Sequence, residues 1–221
     1  MSMPNTIATP QPTTEATASK SSVKLQSNSV IILGAWNPAI VQPAWLADRK
    51  VVENATAEGL SANPLTKGFF FQMGDVNWLV DEQRLQVWAP GSKDTGVYAA
   101  RVLNLLSHTP VQAIGSNFFF QAAAADWPAN KMPKLGDWSL ETSPTGLQFE
   151  QFVWAGTKKM GADTSCHINL TRSRAEALAL HINFHRDTTA AKAAHFAGAW
   201  KDDLSTAKEV VSKIFGVRVD D

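Results

Sequence analysis

The chain has 221 residues, of which 44% are apolar, and its 20 basic and 20 acidic side chains give a formal net charge of zero at pH 7. This length and composition are those of a globular chain with enough apolar residues to bury a core. The balanced charge disfavours a nucleic-acid partner, because phosphates attract a basic protein surface.

Cysteine content and hydropathy bear on location. The single cysteine, Cys166, excludes an intramolecular disulfide, which suits a reducing compartment. The first residues lack the apolar segment of a signal peptide, and no apolar run approaches the roughly 20 residues that span a bilayer. We therefore expect a cytoplasmic protein that does not cross a membrane.

The first quarter of the chain changes from polar to apolar. Residues 1–27 are rich in Thr, Ser, Ala, Pro and Gln, so we expect a disordered tail there and a single α+β domain at 28–221. The apolar run Ser29–Leu33 predicts the first strand. Pro43 then suits the first position of a short helix, and residues 52–66 are typical of a loop.

Three short strands and a helix are predicted next. The strands are Gly68–Gln72, Val76–Val80 and Arg84–Trp88, each bounded by turn residues. Apolar residues then recur every three or four positions from Thr95 to Ser107, which predicts an amphipathic helix. This half of the chain therefore indicates an antiparallel meander followed by a helix that packs on it.

The second half opens with a long strand predicted at Val111–Phe120, with a bulge at Gly115. A connection over 122–137 follows. Further strands are predicted at Trp138–Glu141 and Gln148–Trp154, where apolar and polar residues are mixed in strand-length runs.

Two near copies of one motif come next. Cys166–Leu170 and Leu180–Phe184 share a His-Ile-Asn triplet and are separated by a polar segment, so they predict the two arms of a hairpin over 163–186. The chain then ends in an amphipathic helix predicted at Trp200–Phe215, with Gly216 in the position of a C-terminal cap.

The order of these elements predicts the architecture. We expect an α+β fold, a mainly antiparallel sheet with two amphipathic helices packed on one face. The order also suggests a duplicated unit of strand, short helix, three strands and helix, with pseudo-repeats at 28–109 and 110–221. An irregular α+β sheet without symmetry is the alternative.

The hairpin is the best candidate for chemistry. Because successive side chains of a strand alternate between faces, Cys166 belongs to the apolar face, and His167, His181 and His185 belong to the polar one. A turn centred on Arg174 would place His167 opposite His181, and Asp163 opposite His185. The four candidate residues for acid–base chemistry are therefore His167, His181, His185 and Asp163.

A metal site at this hairpin is not expected. His181 and His185 are four residues apart on one strand, about 13 Å at roughly 3.3 Å per residue. Zinc–nitrogen bonds are only about 2.0–2.1 Å long, so binding of one ion by all three histidines would need strong bending, although His167 and His181 as a directly opposed pair could share one. We predict no metal and no cofactor. A shift of the hairpin register by two residues would keep the apolar face and break the pairing of His167 with His181.

Aromatic residues are the main sign of a binding role. The runs Phe69–Phe71 and Phe118–Phe120 are apolar on both faces of a strand, and one of those faces needs cover from the chain or from a partner. We therefore predict a protein partner or a homo-oligomer. The candidate interaction residues, aromatic or basic, are Trp36, Trp45, Trp78, Trp88, Trp127, Arg172 and Arg174.

Two segments carry a family resemblance. The predicted helix that leads into Val111–Phe118, and His195-Phe196 before the Trp-led terminal helix, resemble a sporadically distributed family of uncharacterised bacterial proteins. The resemblance implies no activity and no site residues.

Three functions follow from the sequence. The favoured one is a non-enzymatic protein-binding or assembly module of bacterial or phage origin. The alternative is an enzyme, or a small-ligand or metal-binding protein, that uses the histidine face of the hairpin. A weaker alternative is nucleic-acid binding through Arg172, Arg174 and the pair Lys158-Lys159.

Overall fold

A computed structural model describes residues 22–53, 56–63, 68–123, 151–173 and 177–220. These residues form one large β-sheet and four helices, which confirms the predicted α+β fold with a mainly antiparallel sheet. Within this part of the chain, none of the helices combines the length and the apolar composition needed to cross a lipid bilayer.

The elements alternate along the chain between strands and helices. The strands are β1 (Ser22–Gly34), β2 (Ala57–Asn63), β3 (Gly68–Met73), β4 (Val76–Val80), β5 (Arg84–Pro90), β6 (Val111–Ala123), β7 (Gln151–Lys159), β8 (Thr164–Ser173), β9 (Ala177–Asp187) and β10 (Arg218–Asp220). The helices are α1 (Pro43–Asp48), α2 (Thr95–Leu105), α3 (Ala190–Gly198) and α4 (Trp200–Phe215).

The strand order is β2-β3-β4-β5-β1-β6-β9-β8-β7, with β10 alongside β1. Neighbouring strands are antiparallel except β10, which runs parallel to the beginning of β1. The long strands β1 and β6 pair in the middle of the sheet, where Val30 lies opposite Ser116. Their long pairing joins the two halves of the sheet.

The two halves of the sheet have matching connectivity. In the first, β1 pairs with β5, the last strand of the meander β3-β4-β5, and α2 follows. In the second, β6 pairs with β9, the last strand of the meander β7-β8-β9, and α3 and α4 follow. This is the arrangement that a duplicated unit predicts, while the pseudo-repeat boundaries 28–109 and 110–221 stay a prediction.

The helices pack on one face of the sheet. Phe118 of β6 contacts Trp200 of α4 with ring centroids 5.7 Å apart, and Trp78 of β4 meets Tyr98 of α2 edge-on at 6.3 Å. Both Trp78 and Trp200 are buried, as is Phe118. The largest aromatic side chains of the core therefore lie between the sheet and the helices.

The opposite side of the sheet, which we call the outer face, is formed by the residues that alternate with those core positions. On β5, for example, Leu85 and Val87 are buried under the helices, and Gln86 and Trp88 point the other way and are half-buried. The residues of the outer face are therefore identified by the register of each strand pair.

Several predicted boundaries need correction. The first strand begins at Ser22, so residues 22–27 belong to the sheet and not to a disordered tail; residues 1–21 lie outside the described part. The segment 52–66, predicted as a loop, contains β2, which is an edge strand of the sheet. The ladder between β6 and β1 runs without interruption at Gly115, so the bulge predicted there is wrong.

The remaining predicted elements are confirmed, shifted or outside the described residues. The strands of the first meander and the helices α2 and α4 are confirmed to within a few residues. Helix α3 was not predicted. The strand predicted at Gln148–Trp154 is observed from Gln151 and continues to Lys159. The connection 122–137 beyond Ala123 and the strand Trp138–Glu141 lie outside the described residues.

Candidate functional site

The outer face of β1 and of β3 to β9 carries few charges. Its described residues are mostly amides, hydroxyls, imidazoles and apolar groups. The charged ones, apart from histidine, each lie within two residues of the end of their strand: Lys24, Arg84, Lys159 and Asp187. Among the described residues, the middle of the outer face therefore carries no Asp, Glu, Lys or Arg, and charges of both signs lie around it.

Asn117 of β6 lies at the centre of this face, and its side chain contacts the neighbouring strand β9. The register places it between Ser29 of β1 and Asn183 of β9. Its side chain is only 4% exposed. Asn117 Oδ1 accepts a hydrogen bond of 2.9 Å from Asn183 Nδ2 and lies 2.9 Å from His181 Nε2. A buried amide in the middle of a sheet is thus satisfied by two side chains of the neighbouring strand.

These contacts define the protonation of His181. Because Asn117 Oδ1 can only accept, Nε2 of His181 must carry the proton that it donates. The ring stacks on Phe119 at 4.3 Å between centroids and 7° between planes, and burial lowers the pKa of His181. His181 is therefore a neutral imidazole near pH 7, and its Nδ1 is the acceptor nitrogen of the ring.

Gly115 makes room for this network. A Cβ atom at position 115 would lie 2.9 Å from Asn183 Nδ2, closer than real contacts of this kind. The backbone carbonyl of Gly115 also lies 3.4 Å from Asn117 Nδ2. The glycine that suggested a bulge in the sequence therefore serves close side-chain packing across β6 and β9.

The lowered pKa of His181 predicts a pH dependence of stability. As pH falls below about 6.5, the unfolded chain takes up a proton that the folded protein resists, so the free energy of unfolding must decrease. In the His181→Gln variant this loss is absent. We expect the wild type to lose more stability than the variant between pH of about 7.5 and 5.5, measured by urea unfolding. His108→Gln, at an exposed histidine after α2, is the matched control and should keep the wild-type slope.

The register of the hairpin differs from the predicted one. His167 lies opposite Asn183, and His181 lies opposite Asn169. The predicted pairing of His167 with His181 is therefore wrong by a shift of two residues. Asp163 is exposed before β8 begins, and His185 lies opposite Ser165, so the predicted pair of Asp163 and His185 is also wrong.

The hairpin still separates its residues as predicted. Cys166, Ile168 and Leu170 are buried on the helix side, and burial raises the pKa of the Cys166 thiol. His167 and His185 share the outer face, with ring centroids 6.2 Å apart. Inward and outward positions were predictable because a shift by two residues leaves them unchanged.

The outer histidines have separate partners. His167 Nδ1 lies 3.0 Å from the hydroxyl of Thr157, and His185 Nε2 lies 3.2 Å from Asp187 Oδ1. Among the described residues, no group of three or more His, Cys, Asp or Glu side chains is placed to hold a metal ion. The geometry gives these histidines hydrogen-bonding roles at the surface.

The predicted interaction residues are divided between the core, the outer face and the part of the chain outside the described residues. Trp36 and Trp78 are buried in the core, where contact with a partner is closed to them, and Trp45 packs partly against the same core. Trp88 is half-buried on the outer face against Phe70, with centroids 5.4 Å apart. Trp127, Arg174 and the side chain of Arg172 lie outside the described part. Lys158 and Lys159, the basic pair of the nucleic-acid alternative, are the last two residues of β7.

Sequence reasoning missed the central residues of the outer face. Asn117 and Phe119 lie in the Val111–Phe120 segment, where the sequence pattern marks Phe119 only as part of an apolar run. A signal was present, since Asn117 interrupts that run at a position where a strand inside a sheet needs a hydrogen-bond partner. The partner residues lie more than 60 positions further along the chain, so the sequence alone did not name them.

Comparisons with known proteins add no family. No protein-family model matches the chain, and no curated protein is similar enough in sequence to count as a match. The resemblance to uncharacterised bacterial proteins therefore stays a prediction.

Proposed function

We propose that this protein is a non-enzymatic assembly module, and that the outer face binds the outer face of a second copy of the chain. The observation that carries this proposal is the uncharged middle of the outer face, surrounded by charges of both signs. Protein interfaces have this anatomy, with charged residues depleted at the centre and placed at the rim.

Size supports the same proposal. The eight strands of this face contain 74 residues, so at about 3.3 Å per residue and a spacing of about 4.8 Å they give a face of roughly 1,000–1,200 Å². A stable interface of standard size buries about 800 Å² on each partner. The exposed apolar side chains Leu33, Phe119 and Val153 all lie on this face, between 39% and 55% exposed.

The chemistry of the face suits a second copy. A two-fold interface must complement itself, because the same patch is used on both subunits. Amides and hydroxyls, such as those of Asn169, Asn183 and Thr157, both donate and accept, so identical surfaces can pair. The formal net charge of zero removes repulsion between copies. The same scarcity of cations in the middle of the face disfavours phosphate backbones.

A cytoplasmic location forms part of this proposal. It is supported by the single cysteine, Cys166, which is free and buried. A bacterial or phage origin and a separate protein partner stay as predictions from the sequence.

A charge at the centre of the face should prevent association. In Phe119→Lys, an ammonium group without a counter-charge would be removed from water at the contact, so we expect the dimer dissociation constant to rise at least about tenfold. Sedimentation equilibrium over a concentration series measures it. Leu105→Lys is the matched control, because Leu105 is 45% exposed on α2, on the opposite side of the sheet.

Each result decides between assembly and another role. Wild-type and Leu105→Lys protein should associate equally, and Phe119→Lys should be monomeric with an unchanged far-ultraviolet circular dichroism spectrum. A wild type that stays monomeric at about 1 mM, a range where weak self-association is visible, contradicts the proposal. So does a Phe119→Lys variant that associates like the wild type.

A further inference from the structure

Two histidines of the outer face, His167 and His185, lie close together, and we call them the histidine pair. His167 of β8 lies opposite Asn183 of β9, and His185 is two residues further along β9. The two are therefore diagonal neighbours, and their ring centroids are 6.2 Å apart with the rings edge-on. His167 is half-buried and the side chain of His185 is 38% exposed, so part of each ring is accessible.

One nitrogen of each ring is held by a neighbouring oxygen. His185 Nε2 lies 3.2 Å from Asp187 Oδ1, and because a carboxylate accepts, Nε2 carries the proton. His167 Nδ1 lies 3.0 Å from the hydroxyl of Thr157, to which it can donate. Histidines that bind metals have this arrangement, in which one nitrogen donates its N–H to an oxygen acceptor and the other nitrogen is the ligand.

The other nitrogen of each ring faces the gap within the histidine pair. The nitrogens of an imidazole lie on either side of one ring carbon and point in widely different directions. Thr157 belongs to β7, on the far side of β8 from β9, so Nε2 of His167 points to the β9 side. Asp187 lies two residues beyond His185, so Nδ1 of His185 points back along β9. Asn183, opposite His167, lies in that direction.

The side chains around this gap are small or turned away from it. Asn183 leans towards β6, where its Nδ2 donates to Asn117 Oδ1 at 2.9 Å. On either side of His185 lie Gly115 of β6 and Ser165 of β8, and neither carries a bulky group. The described residues therefore leave room for an ion beside the histidine pair.

One copy of the chain supplies too few ligands for a complete zinc site. A structural zinc ion has four protein ligands, and among the described residues no third His, Cys, Asp or Glu completes the histidine pair. A two-fold axis that passes beside the pair doubles it to four imidazoles. Two imidazoles on one tetrahedral zinc have centroids about 5 Å apart, so ring movements of about 1 Å from the observed 6.2 Å are sufficient.

We propose that a zinc ion binds between two copies of the chain, held by His167 and His185 of each copy. This proposal rests on the proposed function, because the outer faces of two copies must meet, and it places the two-fold axis beside the histidine pair. Imidazole is a ligand that suits zinc, and the two Asp187 carboxylates balance the charge of the ion. Lys159 lies on the same face at the exposed end of β7, where its side chain can extend into water.

Sedimentation equilibrium of the full chain, first treated with a chelator and then with zinc chloride, tests the proposal. We expect zinc to lower the dimer Kd at least about tenfold, because an ion that binds only the pair of chains must strengthen their pairing. Calorimetric titration should give one zinc ion for two chains. Magnesium chloride should change neither result, since magnesium requires oxygen ligands.

Variants identify the ligands. His167→Gln and His185→Gln should each lose the effect of zinc and keep the association measured in chelator. His195→Gln, at an exposed histidine of α3 on the other side of the sheet, is the matched control and should respond to zinc like the wild type. Asp187→Asn keeps both ligands and should weaken zinc binding at least about tenfold, because the carboxylate orients the ring of His185.

The outcomes separate this site from the assembly itself. If the wild type associates in chelator and zinc leaves its dimer Kd unchanged, the zinc site is wrong and the assembly proposal stands. The site is also wrong if one zinc ion binds each chain, or if both histidine variants respond to zinc like the wild type. Association that appears only with zinc would support the site. A wild type that stays monomeric with and without zinc would contradict both proposals.

Discussion

Replacing Asp203 with alanine is expected to lower the free energy of unfolding by about 3–5 kcal/mol, since it leaves a buried guanidinium without its counter-charge. Arg186 of β9 and Asp203 of α4 are both buried. Arg186 Nη1 donates to Asp203 Oδ2 at 2.9 Å, and Nη2 donates to Oδ1 at 2.5 Å. The guanidinium also lies over the ring of Phe196, 5.3 Å from its centroid. One pair therefore ties the sheet to two helices.

The neighbouring residue offers the control. Asp202 lies in the same first turn of α4 but is exposed, so both carboxylates experience the same helix dipole. Asp202→Ala should cost less than about 1 kcal/mol. Urea unfolding measures both variants. If Asp203→Ala lowers the free energy of unfolding no more than Asp202→Ala does, the buried pair of Arg186 and Asp203 does not contribute to stability.

A double variant tests the cause of the loss. In Arg186→Met with Asp203→Leu, no charge remains buried, so the double variant should be more stable than Asp203→Ala alone. If the double variant is less stable than Asp203→Ala, the stability lost in Asp203→Ala comes from changed packing around position 203. Asp203→Asn, which keeps the shape, should fall between the wild type and Asp203→Ala.

Strand and helix periodicity explains how much of the fold was predictable. Residues of β4 and β5 alternate between buried and half-buried in the structure as they alternate in the sequence. The helix α2 buries Ala99, Val102 and Leu103, which follow a helical period. Local patterns of this kind record which side faces the core, so they identify elements and faces.

The missed elements lack such a pattern. Helix α3 is mostly alanine and buries only Ala193 and Ala197, too small to mark an apolar stripe. The edge strand β2 leaves Glu58, Gly59 and Leu60 exposed, so no face of it alternates clearly. Both elements form because of what packs beside them, which a window of sequence does not contain.

The candidate site needed long-range pairing that a sequence does not specify. The observed hairpin register accompanies the pairing of β9 with β6, where Asn183 lies opposite Asn117. A shift by two residues preserves every buried position, so the pattern could not distinguish the two registers. The pairs that carry chemistry depend on that register, and for this reason the histidine pairing was predicted wrongly.

Two glycines at the helices should respond to alanine with opposite signs. Alanine normally stabilises a helix relative to glycine by about 0.5–1 kcal/mol. At Gly96 in α2, however, a Cβ would lie 2.3 Å from the carbonyl oxygen of Ala197 and 2.4 Å from Trp200 Cβ. A backbone carbonyl in a packed helix cannot move aside freely, so Gly96→Ala should lower the free energy of unfolding by about 1–3 kcal/mol.

Gly198, the last residue of α3, is the matched comparison. A Cβ there has nothing within 4 Å, and Gly198 lies outside the left-handed region of backbone space. Gly198→Ala should therefore raise the free energy of unfolding by about 0.4–1 kcal/mol, because it restricts the unfolded chain at no steric cost. Thermal and urea unfolding of both variants measure the signs. Stabilisation by Gly96→Ala would mean that α2 does not approach α3 and α4 as closely as this fold requires.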